Sequence, residues 1–352
     1  MELTYQVQPF TPQVKRAYER LLPEQTTMVE RGKLDWKFAH CPAGVGVLAL
    51  ARQVGGDADA VIGVNAFQPA RLKIGDQRVL AFQSMDTIVD PVARGKGVFT
   101  RLIEAFYGAA PDLGAAVLYG VPNDNSAPGF FNKLGWTRLG SPPFLIKPLR
   151  AGYFARRLMG GLGAVFDPLP LSLAGPSHDP RFERIERFGP DADALWEVFS
   201  RDIPCAVDRT HDMLNWRFVD HPAASYETLG VRDGDGGLRA FVTWHLAGEK
   251  HGGSIGYIME AMCLPGAERD LKQLLNAAVG AMRVQGADAV LAWSAGNAPN
   301  HSAFRRAGFW PMPEKIRPII LHFGGRALSD EGQAATAAPD AWYLSYFDSD
   351  TV

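Results

Sequence analysis

One short loop holds the residues whose types and spacing are best suited to chemistry. Residues 86–103 read Asp-Thr-Ile-Val-Asp-Pro-Val-Ala-Arg-Gly-Lys-Gly-Val-Phe-Thr-Arg-Leu-Ile. This is an apolar, strand-like segment, then a loop with Arg94, Gly95, Lys96 and Gly97, then the start of an amphipathic helix. Glycines allow backbone N–H groups to approach a ligand closely, and a helix N-terminus adds positive potential. The loop is therefore predicted to bind phosphate, and in particular a pyrophosphate.

The loop shares features with three phosphate-binding motifs. A dinucleotide fingerprint needs a third glycine three residues after the second, where Thr100 stands. A Walker A loop needs Ser or Thr directly after Gly-Lys, but Gly97 follows Lys96. The pattern Arg-x-x-Gly-x-Gly/Ala between a strand and a helix is the acyl-CoA pyrophosphate motif of the GNAT acetyltransferases, and the loop fits it apart from Phe99 at the last small position.

The chain resembles the GNAT superfamily in three places. These are Val89-x-Pro91, the Arg94–Gly97 loop, and the segment from Asn125-Ser126 through Phe131 to Gly135-Trp136. The resemblance implies acetyl-CoA as co-substrate and direct attack of a primary amine on the thioester. It implies that the cofactor-binding residues are Ile88, Val89, Arg94, Gly95, Lys96, Gly97, Val98, Phe99, Thr100, Asn125 and Phe131.

The catalytic candidates are Asp86 and Tyr119. Members of the family often have an acidic residue near Asp86, which could take the proton of the amine; the alternative is a hydrogen-bonded or solvated carboxylate. Aspartate is unfavourable in a central strand, which favours a special role. The family often has a tyrosine where this chain has Phe131, which has no proton to give the leaving thiolate. Tyr119 is the substitute candidate, water is another, and a non-catalytic protein is the third alternative.

The elements that position these residues form a mixed α/β pattern. The order over the first 149 residues is β-α-α-β-β-β-α-β-α-β, with a hairpin turn predicted at Gly75-Asp76. The pattern then repeats, because Leu34–Phe38 recurs as Leu214–Phe218 and residues 118–136 align without a gap to residues 291–309. We predict two GNAT-like domains in tandem, 1–149 and 181–352, joined by a linker at 150–180. Each is predicted to be a mostly antiparallel mixed sheet flanked by helices.

The second copy is predicted to be degenerate. Glu268 and Asp270 stand where positive charge would be needed, and they would repel a pyrophosphate. Glu260 aligns with Asp86, so it is a candidate substrate-binding residue, with a purely structural role as the alternative. Trp36 and Trp216 are predicted to pack the helix of each copy on its own sheet. The tail at 341–347 is predicted to form a last strand.

Composition limits the partners. The 36 basic and 38 acidic residues give a net charge of -2, which provides no electrostatic footprint for nucleic acid or an anionic membrane. Three separated cysteines and eight histidines show no metal-binding spacing, so no metal is expected. No signal peptide and no transmembrane run are recognised, and a cytoplasmic location is expected. The acceptor is expected to be a small-molecule amine, with an amino sugar as one candidate, and a different acyl donor remains an alternative to acetyl-CoA.

Overall fold

The fold was analysed in a computed structural model that describes residues 2–22, 32–55, 60–159, 162, 165, 169–172, 179–250, 253–314, 317 and 319–349. The strands are β1 (Leu3–Pro9), β2 (Val47–Gln53), β3 (Val61–Ile74), β4 (Gln77–Val89), β5 (Val117–Gly120), β6 (Thr137–Gly140), β7 (Phe144–Pro148), β8 (Glu183–Arg184), β9 (Cys205–Val207), β10 (Glu227–Arg232), β11 (Leu238–Lys250), β12 (Gly253–Cys263), β13 (Ala289–Trp293), β14 (Trp310–Pro311) and β15 (Phe323–Ala327). The helices are α1 (Pro12–Glu19), α2 (Lys33–Phe38), α3 (Val98–Leu113), α4 (Ala127–Lys133), α5 (Ala151–Met159), α6 (Pro190–Phe199), α7 (His211–Phe218), α8 (Glu268–Val284) and α9 (His301–Arg306).

Local sequence signals account for several of these elements. The N–H of Val14 donates to Thr11 Oγ1 (3.3 Å), and Pro12 opens α1, as N-terminal capping requires. The β3–β4 hairpin turns at Gly75, whose φ of +56° lies in the left-handed region that glycine tolerates best. Helix α2 is described from Lys33, because residues 23–31 lie outside the described part of the chain.

The two halves contain sheets with the same order of elements. The first sheet runs β1-β2-β3-β4-β5-β15-β6, and the second runs β8-β10-β11-β12-β13-β7-β14. In each, one neighbouring pair is parallel, β4 with β5 and β12 with β13, and the pairs along the rest of these two paths are antiparallel. The predicted α/β class with a mixed sheet in each half is confirmed.

Each half gives one strand to the sheet of the other. β15, near the C-terminus, pairs between β5 and β6, and β7, from the first half of the chain, pairs between β13 and β14. The two strands that follow Trp136, β6 and β7, therefore lie in different sheets. The domain limits at 149 and 181 remain a prediction. The strand order shows only that each sheet contains one strand from the other half of the chain.

The hydrophobic core has layers on both faces of the sheets. Helix α3 packs on the outer face of the first sheet through Leu102, Ile103 and Phe106, and α8 covers the second sheet in the corresponding way. A further core joins the inner faces of both sheets and includes Tyr119, Trp293 and Trp342. Burial of large aromatic side chains between the sheets stabilises their relative position.

The C-terminal tail does not form the predicted strand. Residues 341–349 make one isolated β-bridge, between Trp342 and Cys205, and a 3-10 turn at Tyr346–Asp348. The tail is nevertheless buried, because its aromatic residues pack in the core between the sheets. Aromatic residues are typical of strands, and here tertiary packing overrides that local preference.

Candidate active site

A cleft opens where the central parallel strands of the first sheet separate. β4 and β5 pair only at Ala81–Val117, Phe82–Leu118 and Gln83–Tyr119, so the pairing ends at Gln83. Beyond this point lies a cleft of about 670 Å³, lined on one side by residues 83–89 and on the other by residues 120–123. Unpaired strand edges expose N–H and C=O groups that an extended ligand can bind.

A β-bulge shapes the same part of β4. Ile88 pairs with Val64 and Met85 with Ala66, so that Asp86 and Thr87 together face Asn65. Asp86 has a φ of +48°, the only positive value among the described non-glycine residues. Such a conformation is costly for most residues and is often found at functional sites. Asp86 lines the cleft.

The predicted phosphate loop lies at the mouth of this cleft. Arg94 is exposed and lines the cleft, and its Nε donates to the carbonyl oxygen of Val89 (3.2 Å). Gly95 and Gly97 both have a φ of +75°, which favours glycine, and Gly97 directly precedes α3. Lys96 is exposed beside them. The first turn of α3 contains no acidic residue, so the positive end of the helix dipole is not neutralised there.

Phe99 is accommodated by a close approach to Gly129. A Cβ atom at Gly129 would lie 2.5 Å from the Phe99 ring, so any larger residue at this position of α4 would require the ring to move. The Phe99 ring also packs edge-on against Phe130, with ring centroids 5.1 Å apart. The large side chain at this motif position is thus accommodated by a small residue on the neighbouring helix α4.

The structure brings most of the predicted cofactor-binding residues to one place. Ile88, Val89, Arg94, Phe99 and Asn125 line the cleft. Val98 is buried beneath the loop in the first turn of α3, and Thr100 is half-buried in the same turn.

Phe131 lies elsewhere. Its ring packs under the guanidinium of Arg138 (4.1 Å) and beside Gly324, and the neighbouring Phe130 lines the cleft together with Trp136. Successive helical residues point about 100° apart, which is why adjacent phenylalanines face different surroundings. The family motif pointed to Phe131, whereas the structure places Phe130 in the wall of the cleft.

Asp86 forms an ion pair that sequence reasoning missed. Lys37 Nζ lies 2.7 Å from Asp86 Oδ2, and the side chains are only 7% and 11% exposed, respectively. The ammonium favours the ionised form of the carboxylate. The one sequence feature that drew attention to Lys37 was the repeat, in which another cation, Arg217, occupies the corresponding position.

A second cavity, of about 330 Å³, lies between the two halves. Its lining includes Trp36 and Lys37 from α2, Trp216 from α7, and the tail. Gln83 lines both this cavity and the cleft, so the two spaces lie next to each other where the pairing of β4 and β5 ends.

Tyr119 lines this second cavity and not the cleft. Burial, with a further contribution from Asp348, raises the pKa of Tyr119 well above its ordinary value. The phenol is therefore protonated at neutral pH, as a proton donor must be.

The corresponding region of the second half is occupied by the tail of the protein. β12 and β13 stop pairing at Tyr257–Leu291, and Tyr346 packs there against Tyr257 (5.1 Å) and Trp293 (4.5 Å). At the start of α8, Asp270 pairs with Arg239 (2.9 Å).

Glu260 is buried in the same region. Its carboxylate accepts hydrogen bonds from Arg209 Nε (2.9 Å), Tyr343 Oη (2.5 Å) and Ser345 Oγ (2.7 Å). Glu260 lines neither the cleft nor the cavity between the halves. Its observed contacts are structural, since they anchor the tail.

Within the described ranges, no three His, Cys, Asp or Glu side chains come together in a way that could hold a metal ion. No helix in the described parts of the chain has the length and apolar character needed to cross a lipid bilayer.

The separated strands, the bulge and the glycine loop together define a GNAT-like fold in the first half of the chain. Residues 49–139 match the acetyltransferase (GNAT) domain family, so the first half carries a GNAT domain. No curated protein matches the chain.

Solved structures share the fold of nearly the whole chain. N-myristoyltransferase of Saccharomyces cerevisiae with bound myristoyl-CoA is 12% identical, with a TM-score of 0.60 over 91% of this chain and 82% of that chain. A probable N-acyltransferase from Enterococcus faecalis is 11% identical, with a TM-score of 0.61 over 93% of this chain and 73% of that chain. A GCN5-related N-acetyltransferase from Anabaena variabilis is 13% identical, with a TM-score of 0.60 over 93% and 73%.

Proposed function

We propose that the protein transfers an acyl group, with acetyl as the first candidate, from acyl-CoA to a primary amine of a small molecule. The observation that carries this proposal is the continuity of the cleft with the Arg94–Gly97 loop. The loop and the start of α3 would bind the pyrophosphate, and the separated strands would bind the pantetheine arm through backbone near Ile88 and Val89. The acyl group would then lie toward Gln83, where the cleft meets the cavity between the halves.

The chemistry would be direct attack of the amine nitrogen on the thioester carbonyl carbon. A C–N bond forms, the C–S bond breaks, and the amine loses a proton while the thiolate gains one. Asp86, ionised beside Lys37, would accept the proton directly or through a water molecule. The thiolate would take its proton from water or from Tyr119, which lines the adjoining cavity. Backbone N–H groups freed by the bulge would polarise the carbonyl oxygen.

A longer acyl donor is the second candidate. Ile319 and Leu321, which precede β15, add apolar walls to the cleft, and Ile319 is 39% exposed. Exposed apolar groups at the edge of a cleft favour contact with a hydrocarbon chain. An amino sugar remains one candidate acceptor for either donor.

Release of free thiol from acetyl-CoA and myristoyl-CoA, measured with a panel of primary amines, tests the proposed function. Amine-dependent thiol release supports it, and the better donor identifies the acyl group. Binding of acyl-CoA without thiol release would favour the alternative of a non-catalytic acyl-CoA-binding protein. Mass spectrometry of the CoA species that co-purifies with the protein gives an independent answer on the donor.

A further inference from the structure

One buried asparagine lies behind the bulge that shapes the cleft. Asn65 belongs to β3, is fully buried, and faces Asp86 and Thr87 across the bulge. Asparagine is uncommon in the interior of a sheet, and its amide there needs hydrogen-bond partners within the protein. The partners of this amide therefore show what the side chain holds in place.

The amide of Asn65 contacts three of the residues that line the cleft. Its Nδ2 donates to the carbonyl oxygen of Met85 (3.4 Å) and to Thr87 Oγ1. Its Oδ1 accepts a hydrogen bond from Ser84 Oγ (3.2 Å). All three residues line the cleft, as does Asp86 between them. One buried side chain therefore ties together the segment of β4 that faces the cleft.

These hydrogen bonds lie where the bulge interrupts the backbone pairing. The register between β3 and β4 shifts at this point, so the regular ladder cannot serve both Asp86 and Thr87. Asp86 also has a φ of +48°, a conformation that persists only where the surrounding contacts fix it. The amide of Asn65 supplies such contacts on both sides of Asp86, at Met85 and at Thr87.

The bulge also decides where the carboxylate of Asp86 points. Side chains alternate between the two faces of a strand, so a shift of one residue turns a side chain to the opposite face. In the bulged strand, Asp86 Oδ2 lies 2.7 Å from Lys37 Nζ. A regular strand would redirect this carboxylate, and the ion pair with Lys37 would not be retained.

We infer that Asn65 is a positioning residue, which holds the bulge in β4 and thereby keeps Asp86 directed into the cleft. The inference rests on the proposed acyltransferase function for its effect on the rate, but not for its effect on the bulge. Asn65 itself lines neither the cleft nor the cavity between the halves, so it acts through its neighbours. Side chains behind a site fix the geometry of the reacting groups, and a displacement of about 1 Å can lower a rate by about 10²-fold.

Asn65→Leu tests this role, because leucine has a similar volume and makes none of the three hydrogen bonds. We expect kcat for amine-dependent thiol release to fall by about 10²-fold, while the Kd of acetyl-CoA stays within about threefold of the wild-type value. We expect the acidic limb of the pH–rate profile to move to higher pH, because a carboxylate that loses an ammonium neighbour is harder to ionise. A crystal structure of the variant should show residue 86 without its positive φ and away from Lys37.

Thr243→Val is the matched control. Thr243 is fully buried in β11, faces Glu260 beside the corresponding register shift of the second sheet, and shares a hydrogen bond with Thr228 (2.9 Å). The substitution removes a buried hydrogen bond of the same kind, but we expect the wild-type kcat and the wild-type pH–rate profile. Equal losses of kcat in the two variants would show a general effect on the fold and would overturn the inference.

An Asn65→Leu protein that keeps the bulge, or that keeps the wild-type kcat and pH–rate profile, also overturns the inference. If this variant does not fold, Thr87→Val decides, because it removes one partner of Asn65 at an exposed position. A shifted acidic limb in Thr87→Val then supports the inference, and an unchanged limb overturns it. Absence of thiol release by the wild type would count against the proposed function, and crystal structures of the variants would still decide whether Asn65 holds the bulge.

Discussion

The indole groups of Trp36 and Trp216 bind each other's backbone. Trp36 Nε1 donates to the carbonyl oxygen of Trp216 (2.7 Å), and Trp216 Nε1 donates to that of Trp36 (2.9 Å). The rings stack with centroids 4.6 Å apart and an interplanar angle of 12°. The two tryptophans occupy matching positions in the repeated sequence, and each makes the same hydrogen bond to the other. The pair is therefore arranged with approximate two-fold symmetry. They join α2 to α7, a contact that the prediction of packing on each copy's own sheet did not include.

Loss of one of these hydrogen bonds should destabilise the protein. Trp216→Phe leaves the buried carbonyl oxygen of Trp36 without its donor, and we expect a loss of about 1–3 kcal/mol in the free energy of unfolding. Urea denaturation measures this loss. Trp310→Phe, at a residue that is 60% exposed, is the control and should change stability by less than about 0.5 kcal/mol. Equal effects of the two substitutions would contradict a structural role for the indole pair.

Removal of the loop cations should weaken acyl-CoA binding. The Arg94→Ala/Lys96→Ala variant loses two charges at the mouth of the cleft, and we expect at least about tenfold weaker binding of acetyl-CoA at low salt. The difference should shrink as salt is added, because exposed charges are screened. Isothermal titration gives both results. Arg269→Ala, in the first turn of the corresponding helix α8, is the matched control and should bind like the wild type.

Asp86→Asn tests the proton acceptor. Asparagine tolerates the positive φ at this position, so backbone strain should not obscure the result. We expect kcat to fall by about 10²–10⁴-fold, as loss of a general base predicts, and the acidic limb of the pH–rate profile to disappear. An Asp86→Asn enzyme with the wild-type pH profile would remove the assignment. Lys37→Met removes the ammonium group and keeps a side chain of similar length. It therefore separates the effect of losing the charge from the effect of losing the packing.

The contact of Phe99 with Gly129 predicts a specific pair of outcomes. Gly129→Ala places a methyl group against the Phe99 ring, and we expect destabilisation of about 1–3 kcal/mol from overpacking. Phe99→Ala should restore much of this loss in the double variant. Gly108→Ala in α3, where the new Cβ meets open space, should instead stabilise the protein by about 0.5–1 kcal/mol. Thermal unfolding of the four variants checks all these signs.

His221 should make stability depend on pH. Burial, then the nearby charges of Arg217 and Lys33, lowers the pKa of His221 from 6.5 to about 3. Between these values the unfolded chain binds a proton at this residue and the folded chain does not. The contribution of His221 to the free energy of unfolding is therefore fully present above about pH 6.5, and it is lost as the pH is lowered toward 3.

His221→Asn isolates this effect, because the amide oxygen can replace Nδ1 as acceptor for the N–H groups of Ala223 and Ala224. The variant should lose less stability than the wild type between pH 7 and pH 4.5 in urea titrations. His40→Asn, at an exposed histidine, is the control. Parallel losses in wild type and His221→Asn would show that other groups govern the acid response.

The local parts of the site were predictable from the sequence. Glycines at positive φ, a helix start and a strand before it are properties of neighbouring residues, so the Arg94–Gly97 loop was correctly placed at a strand–helix junction. The repeat predicted the two sheets, because each copy retains the same order of apolar segments. The cavity between the halves was not predictable in this way.

Distant contacts account for what was missed. Lys37 and Asp86 are far apart in sequence, and nothing in either neighbourhood indicates their ion pair. Asp348 resembles a solvated tail residue until Arg209 and the tail aromatics bury it. Phe130 and Phe131 could be told apart only once the orientation of α4 was known.

The sequence by itself determined the order of strand, glycine loop and helix at residues 86–103 and the repeated order of apolar segments, because these depend on short-range geometry. The tertiary structure decided which strands exchange between the sheets, how the tail is buried and where a cavity forms between the halves. These features depend on burying apolar surface from distant segments together, and that free energy is set by the assembled chain and not by any one stretch of it.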